Sequence, residues 1–224
     1  MYAMHLILFF SYFHDPYHIA FNLTEGMKRD KKYKIASLSF ALDIFLTLDI
    51  FIHLVTAYQT DVKEETDLFQ IIKNYVLHGS FVLDVFSTIP MLILPQTSQW
   101  FFLKFLRFIH IQQVYGTIST AVQYILSRMS FDKSTTEKAS TILDMVTYLF
   151  SAIHILGCLW IGIGFAVECS WLEAEGGGCN DGNKTVIPER DNEIYIQAIY
   201  FIITTLTTLG YGDFKGYTSP EYLF

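Results

Sequence analysis

Apolar residues collect in long runs separated by polar segments, a pattern that predicts a bundle of membrane-spanning helices. A helix needs roughly 20 mainly apolar residues to cross a bilayer. Five runs reach or approach this length, and the first of them is aromatic-rich and lies near the N-terminus. The predicted spans are His5–Phe21, Ile35–Tyr58, Tyr75–Leu94, Trp100–Leu126 and Thr141–Val167.

A sixth apolar run, Ile194–Leu206, is too short to cross the bilayer and predicts a re-entrant segment. The polar stretch Glu168–Asn192 precedes it, and a glycine-containing, charged segment follows it. Ser219 and Pro220 then read as the N-cap and first residue of another helix. We therefore expect a sixth span to begin near the end of this sequence.

Composition supports a bilayer protein and argues against nucleic-acid binding. Hydrophobic residues make up 52% of the 224 residues and charged residues only 17%, and the mean hydropathy is +0.34. Soluble domains usually carry about 25% charged residues. The 15 Lys and Arg residues are outnumbered by 22 Asp and Glu residues, for a net charge of −7, so no basic surface is expected for phosphates. We predict an all-α membrane protein with lipid as its surroundings and no nucleic-acid partner.

The segment directly after the re-entrant run has the composition of a K⁺ selectivity filter. A dehydrated K⁺ needs a cage of oxygens, and consecutive backbone carbonyls supply it if alternate residues accept glycine-like conformations. Gly210 and Gly212 meet that demand, and the Thr208 hydroxyl can add an oxygen at the cavity end. The alternative is a simple Gly-Tyr-Gly-Asp turn. The predicted filter is Thr208, Leu209, Gly210, Tyr211 and Gly212, with K⁺ held by the carbonyls of Thr208 to Tyr211.

Neighbouring side chains are predicted to support this filter. Thr207 and Asp213 flank it, and the Tyr211 ring is expected to point away from the ion path into an aromatic cuff. Tyr200, Phe201 and Trp171 are the candidates for that cuff. One chain supplies one loop, whereas a filter encloses its ion with four, so a tetramer is expected. The three further subunits are either identical or homologous.

Several motifs give the chain a family resemblance over nearly its whole length. Residues 43–49 read DIFLTLD, residues 83–90 read LDVFSTIP and residues 154–160 read HILGCLW. Together with the filter they resemble the voltage-gated-like potassium channels, in the branch of ether-à-go-go, plant inward-rectifier and hyperpolarisation-activated channels. The resemblance implies a four-helix voltage-sensor-like domain over 1–131 and a pore domain over 132–224. Cyclic nucleotide would bind only through a C-terminal domain that this sequence does not contain.

The fourth predicted span carries a sparse stripe of sensor charges. Lys104, Arg107, His110 and Gln113 recur at every third residue, but only the first two carry a fixed charge. Moving two charges in each of four subunits through 100 mV is worth at most roughly 18 kcal/mol, against roughly 28 to 37 kcal/mol for three or four charges. We therefore predict weak voltage sensitivity.

Three acids in the second and third spans are the predicted counter-charges. A carboxylate inside an apolar span is costly unless it pairs or faces water. Asp49 and Asp84 are favoured as partners over Asp43. Asp43 and Asp49 lie about 240° apart around the helix, so they cannot both face the same partner at the same depth. The alternative is that one of the two caps the interface or meets water.

Cysteine and histidine positions indicate neither an enzyme nor a metal site. Cys169 and Cys179 flank the polar loop before the re-entrant run, where either a disulfide or two unpaired thiols is consistent with the sequence. No HExxH motif and no recognisable set of nucleophile, base and orienting acid is present. We therefore predict a non-enzymatic protein whose only small ligand is permeant K⁺, without an organic cofactor.

One charge pattern disagrees with the orientation that the filter requires. The basic run at residues 28–34 follows the first span, and the positive-inside tendency would place it in the cytoplasm. We give the filter precedence, with the alternative that the basic run extends a helix towards lipid headgroups. The protein is then a multi-pass channel, in the plasma membrane or else in an organelle. Its rival interpretations are a non-selective cation channel and a non-conducting structural subunit.

Overall fold

A computed structural model describes residues 2–22, 29–59, 64–77, 79–93, 99–129, 131–174 and 191–224. The chain forms two compact units. The first contains Met1–Tyr12 and Lys34–Ile125, and the second contains Phe13–Tyr33 and Leu126–Phe224. The predicted division at residue 131 differs, because it assigns residues 13–33 and 126–131 to the first domain.

The first unit contains most of the residues of the four predicted sensor spans. Helix α1 covers Tyr2–Asn22 and contributes its first half to this unit. Helix α2 covers Arg29–Val55, so the basic residues from Arg29 onward continue into the same helix as the apolar span. A two-residue antiparallel strand pair, β1 at Tyr58–Gln59 and β2 at Glu64–Glu65, follows it.

The third predicted span is interrupted, so its expected start at Tyr75 is wrong. Helix α3 runs over Leu68–Leu77 and α4 over Phe81–Ile93. Between them the Gly79 amide donates to the carbonyls of Asn74 and Tyr75, at 3.0 and 3.1 Å. A Cβ at Gly79 would lie 2.6 Å from the Tyr75 carbonyl oxygen, so only glycine fits this chain reversal.

The fourth predicted span changes its helix type partway along. A 3₁₀ helix covers Gln99–His110, and α5 continues as an α-helix over Ile111–Arg128. Runs of 3₁₀ helix longer than three or four residues are uncommon, and this one has 12 residues. Three residues per turn place every third side chain on one side.

The second unit is organised around α6, which covers Lys133–Ala166 and is 34 residues long. The Asp132 carboxylate caps its first turn by accepting from the Ser134 amide at 3.2 Å. Gly157 lets α8, at Asp191–Leu206, approach closely, because a Cβ there would lie 2.7 Å from Ile199 Cδ1. The short helices α7 and α9 cover Trp171–Ala174 and Ser219–Leu223.

An aromatic core joins these elements of the second unit. The Trp160 ring stacks on Phe201 and Trp171, with centroids 4.4 and 5.8 Å apart. The buried Glu221 carboxylate accepts from the backbone amides of Trp171, Tyr217 and Thr218, each within 2.9 Å. Glu221 lies in the helix expected near the end of the sequence, so these hydrogen bonds anchor that helix. The helix begins at Ser219, one residue earlier than predicted.

Two helices within the described ranges are long and apolar enough to cross a membrane by length and composition, at Ser37–Val55 and Lys133–Ala166. The third predicted span is divided at Gly79 and the fourth changes helix type, so neither forms one long apolar α-helix. The count of five spans stays a prediction.

Candidate ion pathway and sensor

The segment after α8 is shaped by the way this helix ends. The carbonyl of Thr204 accepts from the amides of both Leu209 and Gly210, at 2.9 and 3.1 Å. The Thr207 hydroxyl also donates back to the carbonyl of Ile203, at 2.7 Å. The predicted filter therefore starts directly from the C-terminal end of α8, where the helix dipole is negative and favours a cation.

Within the predicted filter, every second residue has a positive φ. The values are 59° at Thr208, 51° at Gly210 and 77° at Gly212. Left-handed backbone costs little at glycine but is uncommon at threonine. Alternating φ signs allow successive carbonyls to face one side of the strand, which is the arrangement that coordination of an ion requires. The sequence indicated the two glycines but carried no signal for the strained Thr208.

The outer end of this segment is tied to α8 by one side-chain bond. The Tyr200 hydroxyl donates to Asp213 Oδ2 at 2.7 Å, and the Tyr200 ring meets Phe214 edge-on at 5.6 Å. The hydrogen bond from Tyr200 lowers the pKa of Asp213 below its ordinary value of 3.8. The carboxylate is therefore ionised, and the bond intact, over the whole physiological pH range.

Tyr200→Phe should raise the pH at which Asp213 loses its charge. Because Asp213 has a lowered pKa, its contribution is present above pH 3.8 and is lost as pH falls through that lowered pKa. Removing the hydroxyl abolishes the hydrogen bond at every pH and returns the pKa of Asp213 towards 3.8, so a current that depends on the charge of Asp213 should be inhibited at a higher external pH in the variant. Whole-cell current against external pH measures this. An acid-inhibition curve identical to that of wild type would contradict the role of Tyr200.

The predicted aromatic cuff is only partly present within one chain. Trp171 and Phe201 lie in the core around Trp160, and Tyr200 contacts Phe214. The side chain of Tyr211, by contrast, is 68% exposed. Cys169 is exposed, whereas Cys179 lies outside the described residues, so the predicted choice between a disulfide and free thiols stays open.

In the first unit, one buried carboxylate binds both fixed charges of the stripe. Asp43 Oδ2 lies 2.9 Å from Lys104 Nζ, and Asp43 Oδ1 lies 2.5 Å from Arg107 Nη2. Lys104 also donates to Ser39 Oγ at 2.6 Å, and Arg107 donates to the carbonyl of Ser87 at 2.9 Å. The side chains of Asp43 and Lys104 are fully buried, so their charges need these partners.

The third stripe residue has its own acid. His110 Nε2 lies 2.7 Å from Asp84 Oδ1. The other carboxylate oxygen of Asp84 accepts from the Tyr75 hydroxyl at 2.6 Å and from Ser80 Oγ at 2.8 Å. The 3₁₀ helix makes this possible, because it stacks Lys104, Arg107 and His110 along one side.

Asp49, the other predicted counter-charge on α2, contacts His53. Its Oδ1 is 3.6 Å from His53 Nδ1, and the same ring nitrogen contacts the Asp49 carbonyl oxygen at 3.0 Å. The structure thus places Asp43 between Lys104 and Arg107, although the sequence favoured Asp49. The backbone of Gln113 lies in α5, and its side chain is outside the described set.

Ser39, Ser87 and Tyr75 are polar groups at the stripe that sequence reasoning missed. Ser39 precedes Asp43 by one helical turn, and this spacing was the available signal. Ser87 accepts from Arg107 through its backbone carbonyl, which any residue would offer. Tyr75 lies before the break at Gly79 and donates to Asp84 beyond it, so the sequence pattern does not reveal this contact.

Comparison with known proteins assigns the chain to a class of helical membrane channels. Residues 2–224 match the family described as ion transport protein, and the chain belongs to this family. The predicted all-α membrane class is therefore confirmed.

Similar proteins include potassium channels from plants and animals. Potassium channel KAT4 from Oryza sativa subsp. japonica is 24% identical over 210 residues, which cover 89% of this chain and 33% of that protein. The voltage-gated inwardly rectifying potassium channel KCNH7 from Mus musculus is 25% identical over 240 residues, covering 98% and 19%. Potassium voltage-gated channel unc-103 from Caenorhabditis elegans is 23% identical over 247 residues, covering 98% and 28%. These matches confirm the predicted family resemblance, and the chain spans a fifth to a third of each relative.

Proposed function

We propose that the chain is a subunit of a tetrameric potassium channel that conducts K⁺ passively. The carrying observation is the alternation of positive φ at Thr208, Gly210 and Gly212, directly after the C-terminal end of α8. Carbonyls of Thr208 to Tyr211 from four copies would replace the hydration shell of K⁺. The potassium channels among the similar proteins, and the ion transport family, support this proposal over an enzyme.

Assembly around a shared axis is part of the proposal. A single filter strand offers only one side of an ion cage, and its large side chains Leu209 and Tyr211 are 58% and 68% exposed in one chain. Neighbouring copies would cover these side chains and complete the cuff around Tyr211. The hydrogen bond from the Thr207 hydroxyl to the Ile203 carbonyl would fix the start of the filter segment to α8, and the Tyr200–Asp213 hydrogen bond would fix its end.

The two predicted domains have different proposed roles. Residues 1–131 form the sensor and residues 132–224 the pore domain, in a multi-pass protein of the plasma membrane. Lys104, Arg107 and His110 move in the field, and Asp43 and Asp84 stabilise them through the contacts described above. Asp49 supplies negative charge beside His53. With two fixed charges per subunit, voltage sensitivity is weak.

Reversal potentials and a count of copies test the function. In the full-length protein expressed in oocytes, the reversal potential should move by about 59 mV per tenfold change in external K⁺. A reversal potential unchanged when Na⁺ replaces K⁺ would instead indicate a non-selective cation channel. Absence of current, together with a subunit count other than four in the purified particle, would indicate a structural subunit.

Arg107→Gln should reduce the gating charge of the channel by up to about half, because one of two fixed charges per subunit is removed. The measurement is gating current with permeant ions removed. Arg128→Gln is the matched control, since Arg128 is an exposed residue at the end of α5 and should leave the charge unchanged. An unaltered gating charge in Arg107→Gln would remove this residue from the sensor.

A further inference from the structure

A cavity of about 520 Å³ lies beside the charge stripe, entirely within the first unit. Its polar lining includes His5, Asp49, His53, Tyr75, Asp84 and His110. A space of this size with several polar groups can hold water. The stripe therefore lies next to a polar cavity that has room for water.

His110 is the stripe residue with a titratable partner at this cavity. Its side chain and that of Asp84 are 16% and 19% exposed, and the two are 2.7 Å apart. Arg107 lines the same cavity, but its guanidinium is always charged. Histidine is the one side chain whose ordinary pKa allows its charge to change between pH 5 and 8.

Charged and titratable groups face His110 from every neighbouring helix of this unit. Helix α1 contributes His5, whose Nδ1 is 2.7 Å from Thr117 Oγ1. Helix α2 contributes Asp49 and His53, which contact each other. Tyr75 of α3 and Asp84 of α4 complete the set, with Arg107 on the stripe itself. Asp84 contacts the His110 ring directly, at 2.7 Å.

We propose that His110 is a proton-binding site that sets the charge of the sensor stripe. The neutral ring takes up one proton from hydronium in the cavity, which leaves a water molecule behind, and the resulting imidazolium pairs with the Asp84 carboxylate. The stripe then carries three charges per subunit instead of two. This inference rests on the proposed function, since the added charge has an effect only if the stripe moves in the membrane field.

The contacts of His110 differ from those of the two fixed charges, which explains why His110 can be either neutral or protonated. The fixed charges at Lys104 and Arg107 share the fully buried Asp43, whereas His110 pairs with Asp84 at the polar cavity. Asp84 also accepts hydrogen bonds from Tyr75 and Ser80, which do not involve His110. A neutral His110 therefore leaves no uncompensated carboxylate in an apolar environment.

Gating-charge measurements as a function of pH test the proposal in the full-length channel. Between about pH 8 and pH 5.5 on the cavity side, established by changing each side in turn, total gating charge should rise by up to about 1.5-fold. His110→Gln should hold the charge at the lower value, and His110→Arg at the higher value, at all pH. His53→Gln is the matched control, because it removes a histidine of the same cavity that is not on the stripe.

The outcomes separate this inference from the proposed function. A pH-independent gating charge in wild type, or a pH dependence that survives in His110→Gln, would overturn the proton site while a K⁺-selective current still supported the channel. Nuclear magnetic resonance of the His110 ring nitrogens in lipid nanodiscs gives a second readout without gating. The ring should change protonation state between about pH 5.5 and pH 8, and a single state throughout would overturn the inference.

Discussion

Gly210→Ala is expected to abolish K⁺ conduction. Gly210 has a φ of 51°, and an L-residue in the left-handed region costs roughly 1–2 kcal/mol, or about 4 to 8 kcal/mol over four copies. A penalty of this size should reduce the conducting population by at least about a hundredfold. Whole-cell K⁺ current, normalised to surface expression of the channel, is the measurement.

Gly116→Ala is the matched control for that substitution. A Cβ at either Gly116 or Gly210 would meet nothing within 4 Å in the chain, but only Gly210 has a positive φ. Gly116 lies inside α5, where alanine favours a helix by about 1 kcal/mol. Equal currents in the two variants would show that the left-handed conformation at Gly210 is not needed for conduction.

Asp43→Asn is expected to destabilise the protein by about 3–5 kcal/mol. The substitution keeps the shape of the side chain but leaves two buried cations, Lys104 and Arg107, without their shared carboxylate. Removing one partner of a buried ion pair costs this much because the remaining charge has left water without compensation. The midpoint of thermal unfolding of the purified protein in lipid nanodiscs should fall accordingly.

Asp49→Asn provides the comparison on the same helix. Asp49 lies 3.6 Å from a His53 side chain that is 38% exposed, and pairs of this kind contribute about 0–1 kcal/mol. Its unfolding midpoint should therefore remain close to that of wild type. If Asp49→Asn were the more destabilising variant, Asp43 would not be the principal partner of the fixed charges.

Local chemistry made the backbone conformation of the proposed filter segment predictable from sequence. The glycines at 210 and 212 are required by backbone conformation alone, so their spacing indicated which residues would have a positive φ. The positive φ at Thr208 left no such mark, because threonine does not favour that region and is held there by the surrounding fold. Tyr211 is exposed in the single chain, so the aromatic cuff around it stays a prediction.

The geometry of the proposed sensor stripe was less predictable, because it depends on helix type and on helix rotation. Charges at every third residue indicated a stripe, but the 3₁₀ form of Gln99–His110 decided that three of them align. Asp43 and Asp49 both lie on α2, and only packing decides which one faces Lys104 and Arg107. The break at Gly79 likewise depends on the close approach of the Gly79 backbone to the Tyr75 carbonyl. The pattern of apolar residues does not reveal this approach.

A structure of the full-length protein determined with Tl⁺ in place of K⁺ would test the proposed ion site directly. Anomalous scattering should show ions on a four-fold axis, within contact distance of the backbone carbonyls of Thr208, Leu209, Gly210 and Tyr211 from each copy. Ion-free density around this segment, with Gly210 and Gly212 facing lipid or cytoplasm in separate protomers, would contradict the proposed channel.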